Sequence, residues 1–222
     1  MRDLFPSSVQ IVVERNGAPL RWGSGVVIGA SPSTRGAECL VLTAGHTLIG
    51  LAADDQVFAL LDRHQADSAK ALGEVLAAQD GVRWDLALVK IRTGDCVAVR
   101  PGPAPSLGDA IWVVGFPHGG EMTVGRGIVS QTSPRDPGGP SRFTVDASTS
   151  HGSSGAGVFD VRTGRLIGLV EAFGTARVPI GGGSSSQHVD IPMPGMTYVT
   201  PVNRIDEFLR EAGTGPLVVG RQ

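Results

Sequence analysis

Short apolar runs of strand length alternate with turn residues along almost the whole chain. VQIVVE (9–14), GSGVVIG (23–29), ECLVLT (38–43), VFALL (57–61), ALGEVLAA (71–78) and DLALVKI (85–91) form a first set. AIWVVGF (110–116), TVGRGIVSQ (123–131), FTVDA (143–147), AGVFD (156–160), RLIGLVEAF (165–173) and TYVT (197–200) form a second. These runs are rich in β-branched residues, which suit a pleated, half-buried surface. A turn-rich stretch, TGDCVAVRPGPAPSLGD (93–109), divides the two sets. Two groups of about six strands parted by prolines and glycines predict an all-β chain of two six-stranded antiparallel β-barrels. The expected limits are 1–93 for the first barrel, 94–109 for the linker, 110–212 for the second barrel with a closing helix, and 213–222 for a flexible tail. That helix is the one helical pattern: Pro201 can open it, Asn203 can cap it, and Ile205, Phe208 and Leu209 share a face. GGGSSS (181–186) lies in a polar insertion between two late strands and reads as a mobile loop.

Composition supports a packed core. Val, Leu, Ile and Phe supply 60 of 222 residues, or 27%, above the roughly 20% below which chains tend to disorder. Val outnumbers Leu by 26 to 17, again favouring strands over helices. The net charge is −2 and no basic cluster exceeds two neighbours, which excludes a nucleic-acid binder. No apolar run approaches the ~20 residues of a membrane span. The opening MRDLFPSSVQ lacks the apolar stretch of a secretory signal. As written the chain is expected in the cytoplasm, and exported or membrane-tethered if a leader was removed. Cys39 and Cys96 are too few for a disulfide framework and are expected as two separate thiols.

The common phosphate- and metal-binding signatures are missing, so no cofactor and no metal is expected. GSGVVIG has the wrong glycine spacing for a nucleotide loop and is read as a strand. Three other segments stand out. LTAGH ends at His46 after an apolar strand, WDLALVKI places Asp85 at the start of another, and HGSSGAGVFD sets Ser154 among small residues. Taken singly, His46 could be an ordinary polar residue, Asp85 a turn residue or cap, and GSSG any turn. Together they match what acyl transfer to serine needs. A base must take the hydroxyl proton, an acid must orient the imidazole, and backbone N–H groups must face the oxyanion. The glycines around Ser154 let the chain turn sharply and present the N–H groups of Gly152 and Ser154. In the order His, Asp, Ser, with spacings of 39 and 69 residues, the first two fall in the first barrel and the third in the second.

TAGH, DLALVKI and GSSGAG resemble the three active-site blocks of the trypsin/chymotrypsin-like serine proteases. VVGFPHGGEMTVGRGIVSQ, FTVDASTSHGSSGAGVFD, GRLIGLVEA and YVTPVNRIDEFL resemble segments of the bacterial HtrA (Deg) branch, so that the similarity spans roughly 8–212. The resemblance implies a chymotrypsin-like fold and a serine endopeptidase working through an acyl-enzyme on Ser154, with His46 as base and Asp85 as orienter. Protein or peptide substrates follow, while oligomeric state stays open. Ser148 would lie near the base of the primary pocket, walled by Thr149, His151, Val170, Glu171, Ala172 and Phe173. That lining predicts an uncharged side chain before the scissile bond.

Departures from the family pattern matter as well. Ser153 stands where digestive members carry the Asp that binds a new N-terminus, so zymogen-type activation is not expected. Ala156 replaces the second glycine after the nucleophile, and no PDZ domain is expected after the closing helix. Glu171 stands where a small hydroxyl residue often approaches the triad acid. Two close carboxylates resist double ionisation, so either Glu171 points away or the site is unusually tuned. Three competing readings are a catalytically lapsed or latent binding or regulatory module, an α/β-hydrolase using Ser154, Asp160 and His188, and a purely structural β-protein. His64, His118 and His188 are expected on the surface.

Overall fold

The computed structural model describes residues 4–34, 36–61, 69–81, 83–132, 141–180 and 187–215. Strands β1 (Ser8–Arg15), β2 (Ala18–Ser33), β3 (Gly36–Ala44), β4 (Asp55–Leu61), β5 (Ala69–Gln79) and β6 (Leu86–Thr93) close into one barrel in the order β1-β2-β3-β6-β5-β4. Strands β7 (Ala110–Gly115), β8 (Thr123–Gln131), β9 (Phe143–Val145), β10 (Gly157–Asp160), β11 (Leu166–Pro179) and β12 (His188–Pro201) close a second in the order β10-β11-β12-β9-β8-β7. Every strand pairing within the two sheets is antiparallel. The fold is the expected all-β pair of six-stranded, chymotrypsin-like barrels.

Side-chain alternation explains why some strands are apolar throughout. Val27, Val41, Ala87, Val89 and Ile91 point into the first barrel with Val9, Ile11 and Val13. Their neighbours Val26, Ile28, Leu42, Leu86 and Leu88 point outward, but against Val114, Phe159, Leu166 and Leu169 of the second barrel. A strand buried on both faces loses its polar positions, which is why VVI and LALV read as unbroken runs. Each such Leu, Ile or Phe withdrawn from water stabilises the pair by roughly 1.5–3 kcal/mol. The linker is stitched to both sides: Val99 N–H donates to Val27 O at 2.9 Å and Gly102 N–H to Leu166 O at 2.7 Å.

Besides α1 (Leu4–Ser7) and α2 (Gly45–Leu48), neither of which the periodicity indicated, the chain ends in the expected helix, α3 (Val202–Glu211). Its buried residues are Ile205, Phe208 and Leu209, and they join the core between the barrels. The expected cap is corrected. Pro201 is itself the N-cap residue and no side chain caps the helix, so Asn203 lies inside the first turn. The reason is that β12 runs through Pro201, which leaves no room for a separate cap.

Two further expectations change. The insertion between the late strands is largely a paired ribbon: Ala176 faces Ile191 and Val178 faces Val189. Its alternating branched residues were masked by the surrounding prolines and glycines; GGGSSS (181–186), like His64 and residues 216–222, lies outside the described residues. Cys39 and Cys96 are not separate thiols but a disulfide, with their Cα atoms 6.5 Å apart. Although 57 residues separate them, Cys39 on β3 lies opposite Ile91 on β6. The chain leaving β6 therefore passes over Cys39, a proximity that only strand pairing creates.

Candidate active site

His46 and Asp85 come from neighbouring strands of one barrel. Ala44 ends β3 opposite Leu86, the first residue of β6. Just past Ala44 the short helix α2 carries His46, and just before Leu86 stands Asp85. Asp85 adopts a left-handed conformation with φ 47°, which Asp tolerates better than most residues. Its carboxylate, 5% exposed, accepts two bonds from the same residue. Oδ1 takes the backbone N–H of His46 at 2.7 Å and Oδ2 faces Nδ1 at 2.8 Å. A carboxylate beside Nδ1 places the proton there and leaves Nε2 as the acceptor. Nε2 lies 2.9 Å from Ser154 Oγ. The hydrogen bond to Asp85 raises the His46 pKa above the usual 6.5, burial opposes the rise, and the charges of Asp85 and Glu171 add to it.

Helix α3 braces the Asp85 turn from behind. Trp84 is buried, Arg204 stacks over its ring with the guanidinium carbon 4.2 Å from the centroid, and Arg204 Nη2 donates to Arg83 O at 2.8 Å. A helix that follows the second barrel thus supports a turn of the first.

Ser154 sits on the loop between β9 and β10. Gly152 and Gly155 have φ of 87° and 84°, the region that glycine enters without strain. His151 O accepts His118 N–H at 2.7 Å, and Ser153 O accepts Ala156 N–H at 2.9 Å. Because a trans peptide holds its C=O and N–H on opposite sides, these bonds turn the N–H groups of Gly152 and Ser154 the other way. Among the described residues neither N–H has a protein partner. Ser153 is buried and closes the turn locally, its Oγ accepting from Ser150 N–H at 3.2 Å. A hydroxyl, an imidazole acceptor, an orienting carboxylate and two open N–H donors can together carry acyl transfer.

Glu171 neither turns away from the site nor stays unpaired. It is 6% exposed and its carboxylate is clasped by Arg142 through two parallel bonds, Nε to Oε2 at 2.8 Å and Nη2 to Oε1, while Thr200 Oγ1 donates to Oε2 at 3.2 Å. Charge-assisted bidentate pairing compensates the buried carboxylate, which answers how two carboxylates share this neighbourhood. Sequence reasoning missed Arg142; a lone Arg before a short strand carries no local signal.

His46 and Ser154 line a cleft of about 490 Å³ together with Arg21, Trp22, His118, His151, Glu171, Ala172, Phe173 and Thr175. His118 is exposed, as expected, but on this rim. Ser148, Thr149 and Phe173 border a separate recess of about 150 Å³ with Pro192, Met193, Pro194, Gly195 and Thr197. His151 packs edge-on against Phe173, ring centroids 5.3 Å apart, on the cleft side. Of the seven expected pocket residues, Val170 alone lines neither space; it is buried in the core of the second barrel. Sequence reasoning does not place Pro192 to Thr197 at this recess, because residues 192–196 fall in the insertion ahead of the expected strand 197–200. Asp160 caps its own turn, accepting from Thr163 N–H at 2.8 Å and Thr163 Oγ1 at 2.7 Å, and so is not paired with Ser154. Among the described residues no cluster of three His, Cys, Asp or Glu could hold a metal ion, and no helix is long and apolar enough to cross a membrane.

Comparison with solved structures finds the same fold in the serine endoprotease from Yersinia pestis, at a TM-score of 0.68 and 20% identity. The likeness covers 95% of this chain but spans only 64% of that one. No curated protein sequence matches the chain. Residues 23–169 match the trypsin-like peptidase domain, a stretch holding His46, Asp85 and Ser154. With most of its length matched, the chain belongs to the family of trypsin-like peptidase domains.

Proposed function

We propose that the chain is a serine endopeptidase in which Ser154 is the nucleophile, His46 the general base and Asp85 the orienting acid. The observation that carries this reading is the unbroken line of hydrogen bonds from Asp85 through His46 to Ser154, at 2.8 and 2.9 Å. Ser154 Oγ adds to the scissile carbonyl as its proton passes to His46 Nε2, and Asp85 stabilises the imidazolium. The oxyanion faces the N–H groups of Gly152 and Ser154. His46 returns the proton to the leaving amine as the C–N bond breaks. Water then attacks the acyl-enzyme with His46 again as base, releasing the acid and the free serine.

The recess bordered by Ser148, Thr149, Phe173 and Met193 supports an uncharged side chain before the scissile bond, since among the described residues no ionised group lines it. The Cys39–Cys96 disulfide supports work in an oxidising compartment rather than the cytoplasm; equal thiol titres with and without reductant would overturn that.

A fluorophosphonate probe read by intact mass tests the nucleophile. A single adduct on the wild type, absent from Ser154→Ala, is expected. No adduct on the wild type would favour a lapsed or latent module that kept the fold for binding. Cleavage of peptides carrying only Lys or Arg before the scissile bond would overturn the uncharged preference.

A further inference from the structure

Four successive carbonyls of the nucleophile loop each accept a hydrogen bond. His151 O takes His118 N–H and Ser153 O takes Ala156 N–H, both donors within the second half of the chain. The other two, Gly152 O and Ser154 O, are taken by one residue of the first barrel. Ser24 Oγ donates to Gly152 O at 2.8 Å and Ser24 N–H donates to Ser154 O at 2.8 Å. We propose that Ser24 is a positioning residue, which sets the N–H donors of Gly152 and Ser154 from across the line between the barrels; this rests on the peptidase reading above.

The polarity of the contact is fixed by its partners. Ser24 Oγ also lies 2.8 Å from Phe116 N–H, which can only donate, so the single hydroxyl proton goes to Gly152 O. Ser24 is wholly buried and its own carbonyl is held by Thr43 Oγ1 at 2.6 Å, which anchors it to β3. Peptide planarity does the rest. Holding Gly152 O and Ser154 O fixes the two planes that alternate with the donor-bearing planes, and so leaves the donors no rotation to share. The space is shaped for a hydroxyl: a Cβ on Gly115 would stand 2.8 Å from Ser24 Oγ. Removing the hydroxyl strands the buried Phe116 N–H and the part-buried Gly152 C=O at once. Among the described residues, the hydrogen bonds of Ser24 run to Gly152, Ser154, Phe116 and Thr43 and not to His46 or Asp85, so its influence falls on the oxyanion side.

The test compares the wild type with Ser24→Ala and with Ser24→Cys, which keeps the shape and a weak donor. Losing an oxyanion donor outright slows such enzymes about 100- to 1,000-fold, so losing its support should slow kcat and fluorophosphonate labelling about 10- to 100-fold. KM should stay within about threefold, the acid limb of the pH profile should not move, and Ser24→Cys should fall between. Hydrogen exchange gives a readout independent of turnover: the amides of Phe116, Ser153 and Ala156 should lose protection in Ser24→Ala while the amides of β1 and β3 keep theirs. Wild-type kcat in Ser24→Ala would overturn the proposal, and so would loss of protection spread evenly over both barrels. If the wild type fails to label, the peptidase reading fails separately. The exchange pattern then still decides whether Ser24 positions the loop, selective loss supporting it and unchanged protection overturning it.

Discussion

The two halves of the site are held in different ways. His46 and Asp85 stand at the facing ends of β3 and β6, adjacent strands of one sheet, and bond directly to each other twice. Ser154 rides a loop whose carbonyls are held from several directions, two of them by Ser24 of the other barrel. The His46–Asp85 contact thus lies within the first barrel, whereas the Ser154 loop is complete only when both barrels are docked. Support also runs the opposite way, since α3, at the end of the chain, packs on the Asp85 turn through Trp84 and Arg204. The proposed catalytic side chains divide between the barrels, and so do their supports.

Replacing Ser154 or His46 with Ala should have the largest effect, about 10⁵- to 10⁶-fold in kcat with the fold unchanged, as steady-state kinetics and circular dichroism can check. Asp85→Asn keeps the shape but loses the carboxylate that sets the imidazole tautomer, and kcat should fall about 10⁴-fold. If it falls less than tenfold, the first-barrel pair is not the working base. Arg142→Ala leaves the buried Glu171 carboxylate unpaired, and urea unfolding should show a loss of about 3 kcal/mol. Adding Glu171→Gln should restore a good part of it, because the stranded charge is then gone. Substituting Cys39 and Cys96 together by Ser should cost about 2–4 kcal/mol of stability with little change in kcat, since the disulfide ties β3 to the linker and not to the site.

The smallest effect is a displacement along the pH axis. Asp85 raises the His46 pKa above 6.5 and the Glu171 charge adds to it. A raised pKa keeps the imidazole protonated, and useless as a base, to higher pH. Activity should thus fall as pH drops through a midpoint above 6.5, and Glu171→Gln should move that midpoint to lower pH by a fraction of a unit. A midpoint unchanged by the substitution would mean that Arg142 screens Glu171 completely.

Legibility followed the range of the interaction. TAGH, the Asp85 segment and GSSGAG could be read because each is a short run with a chemical reason for its residue types. The pocket could be read only in part. Ser148, Thr149 and Phe173 do border a recess, yet its other wall, Pro192 to Thr197, belongs to a strand whose ribbon pairing was hidden by prolines and glycines. Val170, on the same strand as Glu171 to Phe173, faces the barrel core instead. Asn203 has the residue type of a cap, but its place in the first turn is set by β12 running through Pro201.

Short apolar runs punctuated by turn residues were enough to specify two barrels and one amphipathic closing helix, since these depend on near neighbours along the chain. Small residues around Ser154 likewise announced a sharp turn before any fold was known. The pairing of Cys39 with Cys96, the clasp of Arg142 on Glu171 and the reach of Ser24 to Gly152 arise from residues 57, 29 and 128 positions apart. No local pattern encodes such contacts, because each depends on which strands become neighbours once both barrels have closed and met.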